Sequence, residues 1–343
     1  MDIEGIFEEA RLKRASDLHL RAGMPPVMRI DGDLEPLAME VLSNEVIDSI
    51  IGGMLSTQQL NLFEQGQEVD LSTCVGGSRC RVNVFRHSRG VGVVFRLIPQ
   101  EISSLQALGM PEVVSKVLSR GKGLVLVTGP TGSGKSTTLA AMIDHLNKER
   151  AGHIVTVEDP IEFVHTSKRA LITQREVGGH TVSFSAALRA VLREDPDVIM
   201  VGELRDLETI QLALTAAETG HLVLATLHTA SAAKTVDRII DVFPAEQQAQ
   251  VRAMFAESLE AVISQRLIKR VGGGRVAAVE VLIGTTAVRH LIREGKSHQL
   301  YSVMQTSHQL GMQTMERHLA ELVTRVGELF TPVCSANSPL DRG

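Results

Sequence analysis

The sequence predicts a mixed α/β chain in two parts, a small N-terminal α/β domain on an antiparallel sheet and a larger domain whose sheet is mostly parallel. Three observations lead there. Residues 129–137 read GPTGSGKST and sit between the apolar run GLVLVT and a periodic segment carrying Leu139, Met142, Ile143 and Leu146, the order strand, loop, helix. Beyond residue 123, short apolar runs alternate with amphipathic ones, the pattern of parallel strands covered on both faces. Before about residue 99, strands of alternating polarity are joined by tight-turn signals.

The chain has 343 residues, 43% of them hydrophobic, enough for two cores. Its start, MDIEGIFEEA, is acidic and lacks the apolar stretch of a secretory leader, and no uncharged apolar run is long enough to span a bilayer. A soluble, cytoplasmic protein is expected. Cys74, Cys80 and Cys334 are too few and too irregularly spaced for a disulfide framework or a metal cluster, which fits a reducing compartment. A net charge of -5 with 3% aromatic residues argues against a dedicated nucleic-acid binder.

In the N-terminal part, residues 17–20 and 27–30 read as strands, with Asp31-Gly32 as a hairpin turn. Ile47, Ile50, Ile51 and Met54 recur at helical spacing behind Ser43, an N-cap residue, so one helix is expected on the sheet. Residues 79–85 and 91–98 are two further strands. Alternation puts Cys80, Val82 and Val84 on one face and Arg79, Arg81 and Asn83 on the other, with Arg96 on the neighbouring strand. Those arginines fit three readings: a solvated face, a reach to a phosphate in a neighbouring subunit, or a footprint on a nucleic-acid backbone. Residues 99–111, with Pro99, Pro111 and a polar centre, read as a linker.

In the larger part, strands are expected at 124–128, 154–157, 198–201 and 222–227, with helices after the loop, at 184–193 and at 207–218. A long amphipathic helix is expected over 246–269, with Val251, Met254, Phe255, Leu259, Val262, Ile263 and Leu267 on its apolar side. A strand at 276–283, a helical region at 286–326 and a loose tail from Thr331 complete the reading.

Ligands of such sheets bind at the carboxyl ends of the strands, and each end here carries polar chemistry. The stretch Gly129, Pro130, Thr131, Gly132, Ser133, Gly134, Lys135, Ser136 and Thr137 matches GxxxxGK[ST]. Glycines let backbone N–H groups close on phosphate oxygens, the lysine adds charge, and the serine hydroxyl is suited to Mg2+. Glu158 and Glu162 follow one strand and are candidates to polarise water. Glu203 follows another as a magnesium candidate with Ser136, through water. His228 follows a third as a γ-phosphate sensor. Such a set fits phosphoryl transfer from ATP. A complete positive group near the γ-phosphate is missing from this domain, which leaves Arg79, Arg81 and Arg96 as candidates acting from another subunit. A phosphate-loop kinase would need an acceptor pocket and a lid segment, and no lid is legible.

Together GPTGSGKST, TVEDPIEF (156–163), EDPDVIMVGELRDLET (194–209) and TGHLVLATLHT (219–229) resemble the Walker A, Asp, Walker B and His boxes of the secretion and type IV pilus motor ATPases. SDLHLRAGMPPVMRIDG (16–32) and AVRHLIREGK (287–296) look like the retraction branch, which serves twitching motility. The resemblance implies a PAS-like N-terminal domain over 1–98, a linker over 99–111, a RecA-like ATPase domain over 112–330 and a tail over 331–343. It implies ATP and Mg2+ as cofactors, Lys135 and Ser136 on phosphates and metal, Glu162 as the catalytic glutamate, Glu203 as the Walker B acid, and His221 and His228 in the His box. It also implies a homo-hexamer in which Arg81 and Arg96, with Arg79 as a third, complete the neighbour's site. The expected place is the cytoplasmic face of the inner membrane at the pilus base, reached through a platform protein, with other pilus ATPases as further candidate partners and no nucleic acid. Assembly and type II secretion ATPases carry an additional N-terminal domain and usually a four-cysteine metal element, neither of which is expected here. The retraction motif AIRNLIRE stands here as AVRHLIRE, with Val288 and His290 at the differing positions. That leaves an accessory retraction paralogue as the alternative to a primary motor, and a ring-shaped translocase as a more distant one.

Overall fold

The computed structural model describes residues 3–98, 101–270 and 274–326. The N-terminal part runs α1 (Ile3–Leu12), β1 (Asp17–Arg21), β2 (Val27–Ile30), β3 (Asp33–Pro36), α2 (Asn44–Met54), α3 (Thr57–Glu64), β4 (Val69–Val75), β5 (Ser78–His87) and β6 (Gly90–Leu97). Its six strands form an antiparallel sheet in the order β3-β2-β1-β6-β5-β4.

One face of this sheet is the core. Leu18, Leu20, Met28, Val82, Val84, Val93 and Phe95 pack with Phe7 of α1, Ile47 and Ile51 of α2, and Phe63 of α3. Phe7 meets Phe95 edge-on at 5.1 Å between ring centroids, the arrangement that aromatic quadrupoles favour. The alternation read for β5 holds, buried Cys80, Val82 and Val84 interleaving with half-buried Arg79, Arg81 and Asn83. Where one helix was expected on the sheet there are three. Helix α1 escapes a pattern search because its acidic residues crowd the few apolar ones, Ile6, Phe7 and Ala10, that it buries.

The second part continues with α4 (Glu112–Leu118), β7 (Gly123–Thr128), α5 (Lys135–Glu149), β8 (His153–Glu158), β9 (Leu171–Glu176), α6 (Phe184–Val191), β10 (Val198–Val201), α7 (Leu207–Glu218), β11 (Leu222–Leu227), α8 (Ala232–Asp241), α9 (Ala245–Ser258), β12 (Leu259–Lys269), β13 (Arg275–Ile283), α10 (Thr286–Arg293), α11 (Leu300–Thr306) and α12 (Met315–Val326). The sheet order is β13-β12-β7-β11-β10-β8-β9. Every neighbouring pair is parallel except β12 and β13. Strands β7, β10 and β11 are buried at every residue, so they read as unbroken apolar runs.

The expected helix over 246–269 is in fact two elements. Helix α9 ends at Ser258 and β12 takes over at Leu259. Strand β12 is an interior strand between β7 and β13, and the consecutive burial of Ala261, Val262 and Ile263 shows that both its faces are covered as well. Covering both faces removes the period-2 signal, and the remaining apolar spacing mimics a helix. The β-branched pair Val262-Ile263 was the cue for a strand. Strand β9 was also missed; as an edge strand with a partly exposed face it needs few apolar residues. In the stretch read as a linker, Leu105 and Met110 are buried in the larger core. Pro99, Gln100, Cys334 and the tail from Thr331 lie outside the described residues.

Candidate functional site

The register of the parallel strands sets the carboxyl ends side by side. Thr128 pairs with Leu227, and Val201 pairs with both Ala225 and Val157. The loop after β7, the end of β8, Gly202-Glu203 after β10 and His228 after β11 therefore share one rim.

The loop can turn so tightly because its glycines take backbone angles that side chains oppose: φ is 144° at Gly129, 76° at Gly132 and 88° at Gly134. At Gly129 a Cβ would stand 2.3 Å from the Gln265 carbonyl oxygen, so any other residue would clash. Helix α5 starts directly at Lys135, with Gly134 as its N-cap, and its free N–H groups point at the loop. Ser136 and Thr131 are exposed beside it and Thr137 is half-buried.

A residue absent from the sequence-based candidates braces the loop. Gln265 of β12 donates its amide to Ser133 O at 2.6 Å and accepts from Thr138 Oγ1 at 3.0 Å. Next to it, Ser264 Oγ and Thr128 Oγ1 lie 2.7 Å apart. Two adjacent polar residues inside an apolar, fully buried run were the available signal, since buried polar groups need partners. Reading the segment as a helix hid it.

Lys135, Glu203 and His228 form one connected set. The Lys135 ammonium donates to Gly129 O at 2.9 Å and Pro130 O at 3.1 Å, and lies 3.3 Å from His228 Nδ1. His228 Nε2 lies 3.2 Å from Glu203 Oε1, and the other Glu203 oxygen accepts from Arg205 Nε at 2.8 Å. An ammonium can only donate, so Nδ1 accepts and the imidazole carries its proton on Nε2 toward Glu203. Burial lowers the Lys135 pKa, opposed by the charges of Glu203 and Glu162.

Glu158 and Glu162, four residues apart, occupy different surroundings. Glu158 is buried and accepts from Thr156 Oγ1 at 2.7 Å and Gln174 Nε2 at 3.0 Å. Burial pushes its pKa up to about 7; the two hydrogen bonds oppose that shift and the nearby Glu162 charge adds to it. Glu162 is half-exposed between two buried neighbours, Ile161 and Phe163. Gln174 also donates to Phe163 O and accepts from His165 N, so β9 supports the whole segment.

His221 does not join this rim. It precedes β11, at the amino end of the strand, where its Nδ1 lies 2.9 Å from Ala216 O and 3.2 Å from Thr219 Oγ1. A six-residue strand separates it from His228, roughly 20 Å of extended chain. Within one chain, then, the box holds two histidines at opposite ends of one strand, and His221 stands away from the phosphate loop.

The arginines lie on the open face of the N-terminal sheet. Arg81 pairs in register with Arg96, Arg96 with Asp17, and Asp17 with Arg29. Arg96 Nε donates to Asp17 at 3.0 Å, Arg29 approaches the same carboxylate at 3.9 Å, and Arg81 lies 3.9 Å from Asp70. Arg81 and Arg96 thus stand directly opposite one another, each with a carboxylate within 3.9 Å. Arg79 is occupied within its own chain: Nε and Nη2 donate to Ile161 O at 3.3 and 3.1 Å.

Residues 1–273 match the family described as Type II/IV secretion system protein. The chain is 56% identical over 326 residues to the type IV pilus retraction ATPase PilT of Pseudomonas aeruginosa, covering 95% of each. It is 41% identical to the type IV pilus ATPase PilU of the same organism, covering 96% of this chain and 86% of that one. A crystal structure of the pilus retraction motor PilT with bound ADP superposes with a TM-score of 0.86 at 47% identity, covering 97% of this chain and 95% of that one. With such coverage of a family defined by its motor ATPases, and with a rim that brings their sequence boxes together, the chain belongs to the type II/IV secretion system protein family, among its PilT-type retraction ATPases.

Proposed function

We propose that this chain is one subunit of a homo-hexameric motor that hydrolyses ATP to drive type IV pilus disassembly, the retraction step of twitching motility. The observation that supports it best is the shared rim of phosphate loop, Glu162, Glu203 and His228 in a chain similar to a retraction ATPase along 95% of its length.

Phosphoryl transfer asks a protein mainly for positioning and charge neutralisation. The phosphates fit the loop 129–134, against its backbone N–H groups and those that open α5, with the Lys135 ammonium alongside. Ser136 and, through water, Glu203 would hold Mg2+, whose charge neutralises the phosphates; the donors are oxygens, as that ion requires. Glu162 orients the attacking water, since it is half-exposed while Glu158 is buried and committed to Thr156 and Gln174. His228 bridges Lys135 and Glu203, so it is placed to respond when the γ-phosphate competes for both.

Arg81 and Arg96 supply the remaining positive charge to a neighbouring subunit. In this assignment residues 1–98 carry the arginines, 99–111 connect, and 112–330 hold the nucleotide. No helix among the described residues is long and apolar enough to cross a membrane. By its likeness to a pilus retraction ATPase, the motor would act at the inner membrane's cytoplasmic face through a platform protein. The 56% identity over 326 residues to a relative named a retraction ATPase supports the retraction role, with an accessory paralogue as the alternative. Val288 is buried and conservative in shape, and His290 is exposed on α10. Deleting the gene in its host tests the reading: loss of surface twitching with an excess of surface pili is expected, and bald cells would contradict it.

A further inference from the structure

The segment that carries Glu162 is held from two sides, and only one of them belongs to its own sheet. From β9, Glu176 Oε2 accepts from Ile161 N at 3.0 Å and Gln174 donates to Phe163 O at 2.8 Å. From the N-terminal sheet, Arg79 of β5 donates two N–H groups to Ile161 O. Both polar backbone groups of Ile161 are thereby fixed. Phe163, on the other side of Glu162, packs with Ala140 of α5 and with Ile98 at the end of β6. Glu162 thus lies between two anchored residues, and half of each anchor comes from the N-terminal sheet.

We infer that Arg79 is a positioning residue for Glu162 of its own chain: it ties the water-orienting segment to the sheet whose Arg81 serves the next subunit. Arg79 and Arg81 stand on the same face of β5, about 7 Å apart along the strand. A rigid movement of the sheet that presents Arg81 to one neighbour must also displace Arg79, and with it the Ile161 carbonyl beside Glu162. One strand would then couple two consecutive sites of the ring, which a side chain acting only in trans could not do. The inference rests on the assignment of Glu162 above.

The test is ATP turnover of Arg79→Ala, Arg79→Lys and Glu176→Ala, and of mixed rings. Loss of positioning should lower kcat by roughly ten- to a hundredfold while KM for ATP stays within about twofold. Arg79→Lys keeps one donor and should recover part of the loss. Glu176→Ala, which frees Ile161 from the opposite side, should mimic Arg79→Ala and guards against a folding artefact at Arg79.

Mixing separates cis from trans. A site uses Glu162 and Arg79 of one subunit with Arg81 of the next. Mixing Arg79→Ala with Arg81→Ala should therefore restore roughly one interface in four in a randomly mixed head-to-tail ring. Mixing Arg79→Ala with Glu162→Gln should restore none. The opposite pattern, or wild-type turnover by Arg79→Ala, would overturn the inference. Wild-type turnover by Glu162→Gln alone would instead remove the assignment on which it rests.

Discussion

Replacing Glu158 by Gln should change how stability depends on pH, in a direction and size that follow from burial. Glu158 is buried, and its pKa stands at about 7 against an ordinary 4.5. A carboxyl group whose pKa is raised on folding stabilises the native state while it is protonated, fully below the unfolded value and progressively less as pH rises through the folded one. A rise of about 2.5 units corresponds to about 3 kcal/mol, and between pH 5 and pH 8 about 2.5 kcal/mol of it is lost. Gln keeps the shape and the ability to hydrogen-bond Thr156 and Gln174, and does not ionise. Denaturant unfolding of wild type and Glu158→Gln at pH 5 and pH 8, at one protein concentration, measures the difference. The variant should gain about 2.5 kcal/mol on wild type over that interval. A difference between variant and wild type that does not change with pH, or one that shifts in favour of the wild type as pH rises, would refute the argument from burial.

Two further outcomes follow from the packing. Gln265→Leu fills the same space but leaves Ser133 O and Thr138 Oγ1 without their partner, which should cost about 1–3 kcal/mol in thermal unfolding and raise KM for ATP. Arg289 of α10 reaches the carbonyl oxygens of Glu257, Leu259 and Gly284 and the carboxylate of Glu260, which also receives Arg120. Arg289→Ala should therefore destabilise the chain by about 3 kcal/mol, seen as a lower denaturant midpoint.

Short elements with a uniform or single-striped environment were the legible ones. The interior strands β7, β10 and β11 stand out as unbroken apolar runs and the helix α7 by its amphipathic spacing. The rim followed from the same logic, since glycines, an acid or a histidine at a strand end stand out against apolar runs. What stayed hidden depended on contacts between distant segments. Strand β12 looks helical in sequence because both its faces are buried, which removes the period-2 signal, and that hides Gln265. The resemblance puts His221 and His228 in one box, but six residues of extended strand carry His221 to the far end of the sheet. No pattern within β5 distinguishes Arg79 from Arg81; only the approach of Ile161, more than eighty residues away, does so.

The central claim is that one chain builds half a site and its neighbour completes it. ATP turnover of Glu162→Gln, of Arg81→Ala and of a mixture of the two tests this most directly. Each variant alone should be nearly inactive. The mixture should regain turnover, because interfaces form in which an intact Glu162 meets an intact Arg81. A mixture as inactive as its components, or an Arg81→Ala ring that hydrolyses ATP at the wild-type rate, would contradict it.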